Sequence, residues 1–211
     1  MKKITIIFIS ALFTLTTSAF AGGMFGVKLG TGDLEGNAKS YTAGSNTYAA
    51  ESGSKDNDFG ALFMEFNIKE SPISIGLEYV PFDADISLNG KNANVHANVG
   101  DYTTLYALAM QELDSVSVYA KVGYSMADIG TVTPNDTLTT VNSSSDSLEG
   151  IMMGVGLQTQ ELPFGLVARA EYTFTQFDDI SITTTSNGSA AVKKTADGDL
   201  TTLTFSLAKS F

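Results

Sequence analysis

The chain has 211 residues, and its 23 acidic residues against 12 basic ones give a formal net charge of −11. A surface this acidic argues against nucleic acid as a partner, because binding to a phosphate backbone depends on lysine and arginine. The chain contains no cysteine, so disulfides and thiolate chemistry play no part in its fold or function.

The first 21 residues have the pattern of a secretory signal peptide. Met1-Lys2-Lys3 is a positively charged start, residues 4–15 are predominantly apolar, and Ala19-Phe20-Ala21 has the form of a cleavage site. The apolar stretch is too short for a membrane-spanning helix. We therefore expect cleavage after Ala21. Residues 22–211 then form a single domain of 10 basic and 23 acidic residues, with a formal charge of −13.

Eight segments of the remaining chain alternate apolar and polar side chains with a period of two, which is typical of β-strands with one apolar face. In chain order they are Met24–Thr31, Asp58–Ile68, Ile73–Tyr79, Tyr102–Gln111, Val116–Met126, Gly150–Gln158, Leu166–Phe174 and Thr201–Phe211. After residue 21 no stretch of 18 apolar residues occurs, so a membrane protein with this sequence would cross the bilayer by strands.

The connections between these segments alternate strictly between long and short. The short turns are Lys69–Pro72, Glu112–Ser115 and Gln160–Pro163. The long connections are polar, have no periodicity and are predicted to be loops, at residues 35–57, 83–100, 130–147 and 180–198. Short turns at one end and long loops at the other are typical of bacterial outer-membrane barrels. The sequence therefore predicts an all-β fold, an eight-stranded antiparallel up-and-down transmembrane β-barrel.

Charged residues in mid-strand distinguish this barrel from a soluble one, which would have an apolar interior and a polar exterior. The six charges share the polar face of their strands: Lys28, Glu65, Glu78, Lys121, Arg169 and Glu171. A charge facing lipid costs about 2–4 kcal/mol at the bilayer midplane, so we expect all six inside the barrel. Three bases against three acids predict an ion-paired network, with Arg169 bridging Glu171 or a glutamate of another strand. The alternative is a gated ion path through the same groups.

Aromatic residues on the predicted lipid-facing sides form a second pattern. We expect them to lie in two interfacial girdles: Tyr79, Tyr102, Tyr124, Tyr172 and Phe174 towards the long loops, and Phe25 and Phe211 at the other end. The alternative explanation is the general preference of tyrosine for strands. In the fourth segment, this assignment turns Tyr102, Tyr106 and Leu108 towards lipid and places Leu105 on the inner face.

Three stretches of the sequence, in the first, third and last predicted strands, resemble a known family. The glycine-rich start at residues 22–30, the sequence Gly76-Leu77-Glu78-Tyr79 and the ending Leu203-x-Phe205-x-Leu207-x-Lys209-x-Phe211 resemble the small outer-membrane barrels of the OmpA-transmembrane-domain, OmpX and opacity-protein type. The resemblance implies that Phe211 belongs to a signal read by the barrel-assembly machinery. It also implies outer-membrane lipid and lipopolysaccharide as partners. Lys209 departs from the apolar pattern of the family.

Three functional classes remain open, and they differ in which part of the barrel carries the function. We expect a non-enzymatic surface or structural protein, monomeric, without metal or cofactor, whose long loops could meet a surface ligand. The alternative is a narrow channel or small-solute conduit through the charged interior. A third possibility is a lipid-modifying enzyme that uses His96, the single histidine of the chain.

Overall fold

The computed structural model describes residues 20–81, 84–90, 93–134, 139–186 and 190–211. Of the predicted signal peptide at residues 1–21, positions 1–19 lie outside the described residues, and Phe20 and Ala21 begin the first strand.

Strands make up nearly all of the described chain. They are β1 (Phe20–Ala38), β2 (Tyr41–Ala43), β3 (Asn46–Tyr48), β4 (Glu51–Ile68), β5 (Ile73–Val80), β6 (Ala84–Gly90), β7 (Ala93–Glu112), β8 (Val116–Ile129), β9 (Thr133–Pro134), β10 (Thr139–Ser144), β11 (Ser147–Thr159), β12 (Leu166–Ser186) and β13 (Val192–Ser210). A short 3₁₀ turn at Pro163–Gly165 precedes β12. Within the described ranges, no helix has the length and apolar character needed to cross a membrane.

Eight of the strands close into a ring, in the order β1, β4, β5, β7, β8, β11, β12 and β13, and all their pairings are antiparallel. Closure comes from β13, which pairs with β12 on one side and with β1 on the other. The pairs Phe25–Lys209 and Leu29–Phe205 lie in the β1–β13 ladder, as predicted for the first and last strands. The predicted eight-stranded antiparallel barrel is therefore confirmed.

The period-two pattern separates an apolar outer surface from a polar interior. Val27 and Leu29 on β1 are 53% and 69% exposed, whereas Lys28 between them is 4% exposed. The same alternation on β13 turns Phe205 outwards and buries Thr204. Because the closed ring leaves no strand edge unpaired, this outer apolar belt meets the requirements of a barrel that spans a hydrocarbon layer.

The fourth predicted strand, now part of β7, faces the opposite way from its assignment. Thr104, Tyr106 and Leu108 are buried inside the barrel, and Leu105 faces out. Tyr106 is accommodated because its partner across the ladder is Gly76, where an added Cβ would lie 2.2 Å from the tyrosine ring. A strand whose two faces differ little in polarity thus takes its orientation from the space and hydrogen-bond partners inside.

Tyr102 is a particular correction, because we predicted it in the lipid-facing girdle. Its hydroxyl donates to Ser125, 3.0 Å away in the interior, and its ring packs edge-on against the buried Phe177. The ladder with β8 contains a bulge between Gly100 and Thr103, with Asp101 at φ +52°. Tyr102 therefore lies on the lumen side, where its hydroxyl finds a partner that lipid could not supply.

The long connections are largely strands, so their prediction as loops is wrong for most of their length. The β1–β4 ladder continues to Ala38–Glu51, and the β12–β13 ladder continues to Thr184–Val192. In the other two connections, β6 pairs with β7 and β10 pairs with β12. An antiparallel ladder needs only backbone hydrogen bonds, and a hairpin with water on both faces has no reason to alternate apolar and polar residues. Sequence periodicity therefore could not reveal these extensions.

Candidate functional site: the barrel interior

The six charged residues predicted for the interior all lie there, on five different strands of the ring. Each is buried to 8% exposure or less: Lys28 on β1, Glu65 on β4, Glu78 on β5, Lys121 on β8, and Arg169 and Glu171 on β12. Every one occupies an inward position of the period-two pattern, with a lipid-facing residue on either side. The structure joins them into two groups.

The first group is a square of two lysines and two glutamates. Lys28 Nζ lies 2.6 Å from Glu78 Oε2 and 2.6 Å from Glu171 Oε1. Lys121 Nζ approaches the same two oxygens at 3.0 and 3.1 Å. Both ammonium groups therefore donate to both carboxylates, and the four formal charges cancel within hydrogen-bond distance.

The second group is an arginine–glutamate pair that spans the lumen. Arg169 Nη1 and Nη2 donate to the two carboxylate oxygens of Glu65 at 2.8 and 2.9 Å, and Arg169 Nε donates to Gln158 at 2.6 Å. Of the two partners that the sequence left open for Arg169, the structure selects the glutamate of another strand. Glu171, two residues along β12, is held by the lysines instead.

Two tyrosines connect the groups and fill the remaining space. Tyr106 donates to Glu65 Oε2 at 3.2 Å, and Tyr119 donates to Glu171 Oε2 at 3.0 Å. The Lys121 ammonium lies 3.9 Å from the centre of the Tyr106 ring, an additional cation–π contact. The sequence did not predict the role of either hydroxyl. The feature that could have indicated this role is the glycine that each tyrosine faces across the ladder: Gly76 for Tyr106 and Gly156 for Tyr119.

The part of the lumen that holds the two charge groups, here called the charged section, is fully hydrogen-bonded and densely packed. Within the described residues, every fully buried side-chain nitrogen and oxygen has a hydrogen-bond partner. Tyr106, Tyr119, Leu108 and Met152 pack together beside the charges. Removing one partner of a buried ion pair costs about 3–5 kcal/mol, because the other charge is left without compensation. An ion crossing this section would have to separate such pairs.

A cavity of about 310 Å³ lies between this section and the long-hairpin end of the lumen. Glu78 and Lys121 form its inner end, and the exposed residues Lys55 and Asp58 form its outer end. Its walls are mainly apolar, with Leu34, Val80, Val99, Leu148, Met152 and Phe177 among them. The lumen therefore holds the two paired charge groups at mid-barrel and a cavity on their long-hairpin side.

The remaining aromatics of the predicted girdles face outwards. Tyr124, Tyr172 and Phe174 are between 37% and 52% exposed, and Tyr79 donates a hydrogen bond to Asp101 at 2.7 Å. Phe25 and Phe211, assigned to the opposite girdle, are 57% and 64% exposed. Phe211 also contacts Phe66 edge-on, with ring centroids 6.2 Å apart. Their role as interfacial anchors stays a prediction.

The long-hairpin end carries acidic side chains that are partly paired. Lys39 Nζ lies 2.5 Å from Asp179 and 3.5 Å from Asp197. The hydrogen bond that Lys39 donates to the Asp179 carboxylate raises the pKa of Lys39 above its ordinary value. No cluster of three or more potential metal ligands occurs among the residues that the structure describes. His96 belongs to β7, but its side chain lies outside the described part of the chain, and so does any catalytic site built on it.

Comparison with known proteins gives the fold a context. No protein-family model matches the chain, and no curated protein matches it either. Among solved structures, the outer membrane protease OmpT of Escherichia coli superposes with a TM-score of 0.58 at 11% identity, covering 94% of this chain and 100% of OmpT. Neisserial surface protein A superposes with a TM-score of 0.51 at 12% identity, covering 89% of this chain and 97% of that protein. At these identities the likeness is one of fold: the bacterial outer-membrane β-barrel.

Proposed function

We propose that this chain, which has the fold of the small outer-membrane β-barrels, is a non-enzymatic surface protein of the bacterial outer membrane with a lumen closed to ions. One observation carries the proposal: three basic and three acidic side chains pair within the lumen and two tyrosines fill the space around them. A barrel of eight strands has an interior just wide enough for side chains, and here they occupy it.

The long hairpins are the part of the molecule that supports a surface role. The β12–β13 and β1–β4 ladders continue well past the apolar belt into segments rich in Ser, Thr and Asp. Hydrogen-bonded hairpins present side chains at fixed spacing, which favours recognition over an unstructured loop of the same composition. A surface ligand of this protein therefore binds to residues 35–57, 83–100, 130–147 or 180–198.

The apolar belt and the last strand support the remaining parts of the proposal. Outer-membrane lipid and lipopolysaccharide cover the belt, and the barrel, which has no open strand edge in its ring, stays monomeric. Phe211 and Gly23 exchange two backbone hydrogen bonds, of 2.9 and 3.0 Å, so the last residue is fixed beside β1 with its ring exposed. That ring is available to the barrel-assembly machinery after export by a signal peptide at residues 1–21.

Planar-bilayer conductance of the refolded protein tests the closed lumen. The proposal predicts no steady single-channel current at either polarity of the applied voltage. The competing function, a conduit for ions or small solutes, draws support from the cavity above the charges. It predicts a steady current, which would overturn the closed-lumen proposal.

A further inference from the structure

We infer that the outer half of the lumen is a binding site for a small amphiphile, with an apolar chain and a hydrogen-bond-donating head that is cationic or neutral. The site is the cavity of about 310 Å³ that begins at Glu78 and Lys121 and reaches solvent beside Lys55 and Asp58. This role goes beyond the surface function proposed above, and a closed lumen is compatible with it, since the charges form the floor of the pocket.

The walls of the cavity favour a ligand with an apolar chain. Phe177, Leu148 and Ala127 form one buried apolar cluster, and Leu34 and Leu200 pack against it from the long-hairpin end. Phe177, Leu148 and Ala127 all line the cavity, so its wall is apolar on this side. Ligand pockets of this volume are typically apolar, with a few convergent polar groups that orient the ligand.

The charged groups at the inner end of the cavity determine which head group of an amphiphile binds. The Glu78 side chain is 10% exposed, whereas that of its partner Lys121 is 1% exposed. Of the two charged groups at the inner end of the cavity, the carboxylate is therefore the more accessible to a ligand. Thr104, Thr173 and Thr202 add hydroxyls to the lining. An amine or alcohol can donate to Glu78, whereas a carboxylate head would place a like charge beside it.

The size of the cavity limits the chain length. At about 30 Å³ for each water-sized group, the cavity holds about ten non-hydrogen atoms. Octylamine, octanol and nonanoate each have an eight-carbon alkyl chain of this size and differ only in the head. The three compounds therefore test the proposed selectivity at constant apolar surface.

Two neighbouring methionines offer a direct readout. Met152 is 3% exposed and lines the cavity, whereas Met153 is 57% exposed and faces lipid. With the protein in phosphatidylcholine nanodiscs and its methionine methyl groups labelled with ¹³C, each amphiphile is titrated and both methyl signals are followed. We expect octylamine to shift the Met152 signal to saturation and the Met153 signal only in proportion to its partition into lipid. Nonanoate should bind at least about tenfold more weakly than octylamine.

A matched pair of variants on β8 locates the binding. Ala127→Phe fills the cavity from its wall, and Ala120→Phe adds the same ring on the lipid side of the strand. We expect Ala127→Phe to weaken octylamine binding at least about tenfold and Ala120→Phe to leave it unchanged. Should Ala127→Phe fail to fold, the series of head groups on the wild-type protein still decides. A Met152 signal that does not saturate with octylamine, equal binding of all three heads, or undiminished binding by folded Ala127→Phe would overturn the inference.

Discussion

Tyr119 lies directly over Gly156, its partner on the neighbouring strand, so closely that a Cβ added at the glycine would be 2.2 Å from the ring. The absence of a side chain at Gly156 thus makes room for the Tyr119 ring. The ring in turn carries the hydroxyl that donates to Glu171. Gly76 and Tyr106 repeat the arrangement on β5 and β7, where the hydroxyl donates to Glu65.

Gly156→Ala should therefore destabilise the barrel by about 1–3 kcal/mol, because the methyl group displaces the Tyr119 ring and disturbs its bond to Glu171. Urea unfolding in lipid vesicles, followed by circular dichroism, measures the change. Gly36→Ala is the control, since an added Cβ there has no atom within 4 Å. Equal free energies of unfolding for the two variants would show that the Tyr119 ring does not require a glycine at position 156.

Arg169→Ala should cost about 3–5 kcal/mol in free energy of unfolding, because Glu65 is left as a buried charge without its bidentate partner. The double variant Arg169→Ala/Glu65→Ala should be more stable than Arg169→Ala alone, since it removes the uncompensated charge as well. A double-mutant cycle from the same unfolding experiment gives the coupling energy.

Lys39→Ala is the control for that cycle, because it breaks an ion pair with Asp179 whose side chains are 47% and 53% exposed. Surface pairs of this kind contribute little to stability, so we expect no measurable change. If Arg169→Ala proved as harmless as Lys39→Ala, the charges inside the barrel would not hold it together.

Phe211→Ala should reduce the amount of protein assembled in the outer membrane while leaving the refolded barrel nearly as stable as wild type. The substitution removes the exposed ring but keeps both backbone hydrogen bonds to Gly23. Quantitative immunoblotting of outer-membrane fractions and thermal melting of the purified protein measure the two effects separately. Phe205→Ala on β13 is the matched control, because Phe205 is 63% exposed against 64% for Phe211, which directly follows that strand. An equal assembly defect in both variants would rule out a special role for the last residue.

The sequence could predict the barrel because lipid and lumen impose opposite requirements on alternate residues. Val27, Lys28 and Leu29 show this in three consecutive positions, and the pairing of the first and last strands follows from closure. The pattern fails where both faces of a ladder meet water, which is why the hairpin around residues 35–57 lacked a strand signal. It also fails for Tyr106, an aromatic residue whose hydroxyl makes it suitable for a polar interior.

The partners within the lumen could not be predicted, because they depend on geometry across the barrel. Arg169 and Glu171 are two residues apart and point the same way, yet each pairs with residues of other strands. Ladder register and the tilt of the strands decide which side chains meet across the lumen, and neither can be read from spacing along the chain. The cavity has the same origin, since Leu34, Val80 and Phe177 come from three strands.

The most direct test of the closed lumen compares the planar-bilayer conductance of the wild-type barrel with that of Tyr106→Ala/Tyr119→Ala, which removes both rings beside the ion pairs. Circular dichroism verifies that each protein is folded before it is added to the bilayer. We predict a silent wild type and a variant that passes ion current, because the space that the two rings fill beside the ion pairs is then open to water and ions. Steady single-channel current through the wild-type protein would contradict the account.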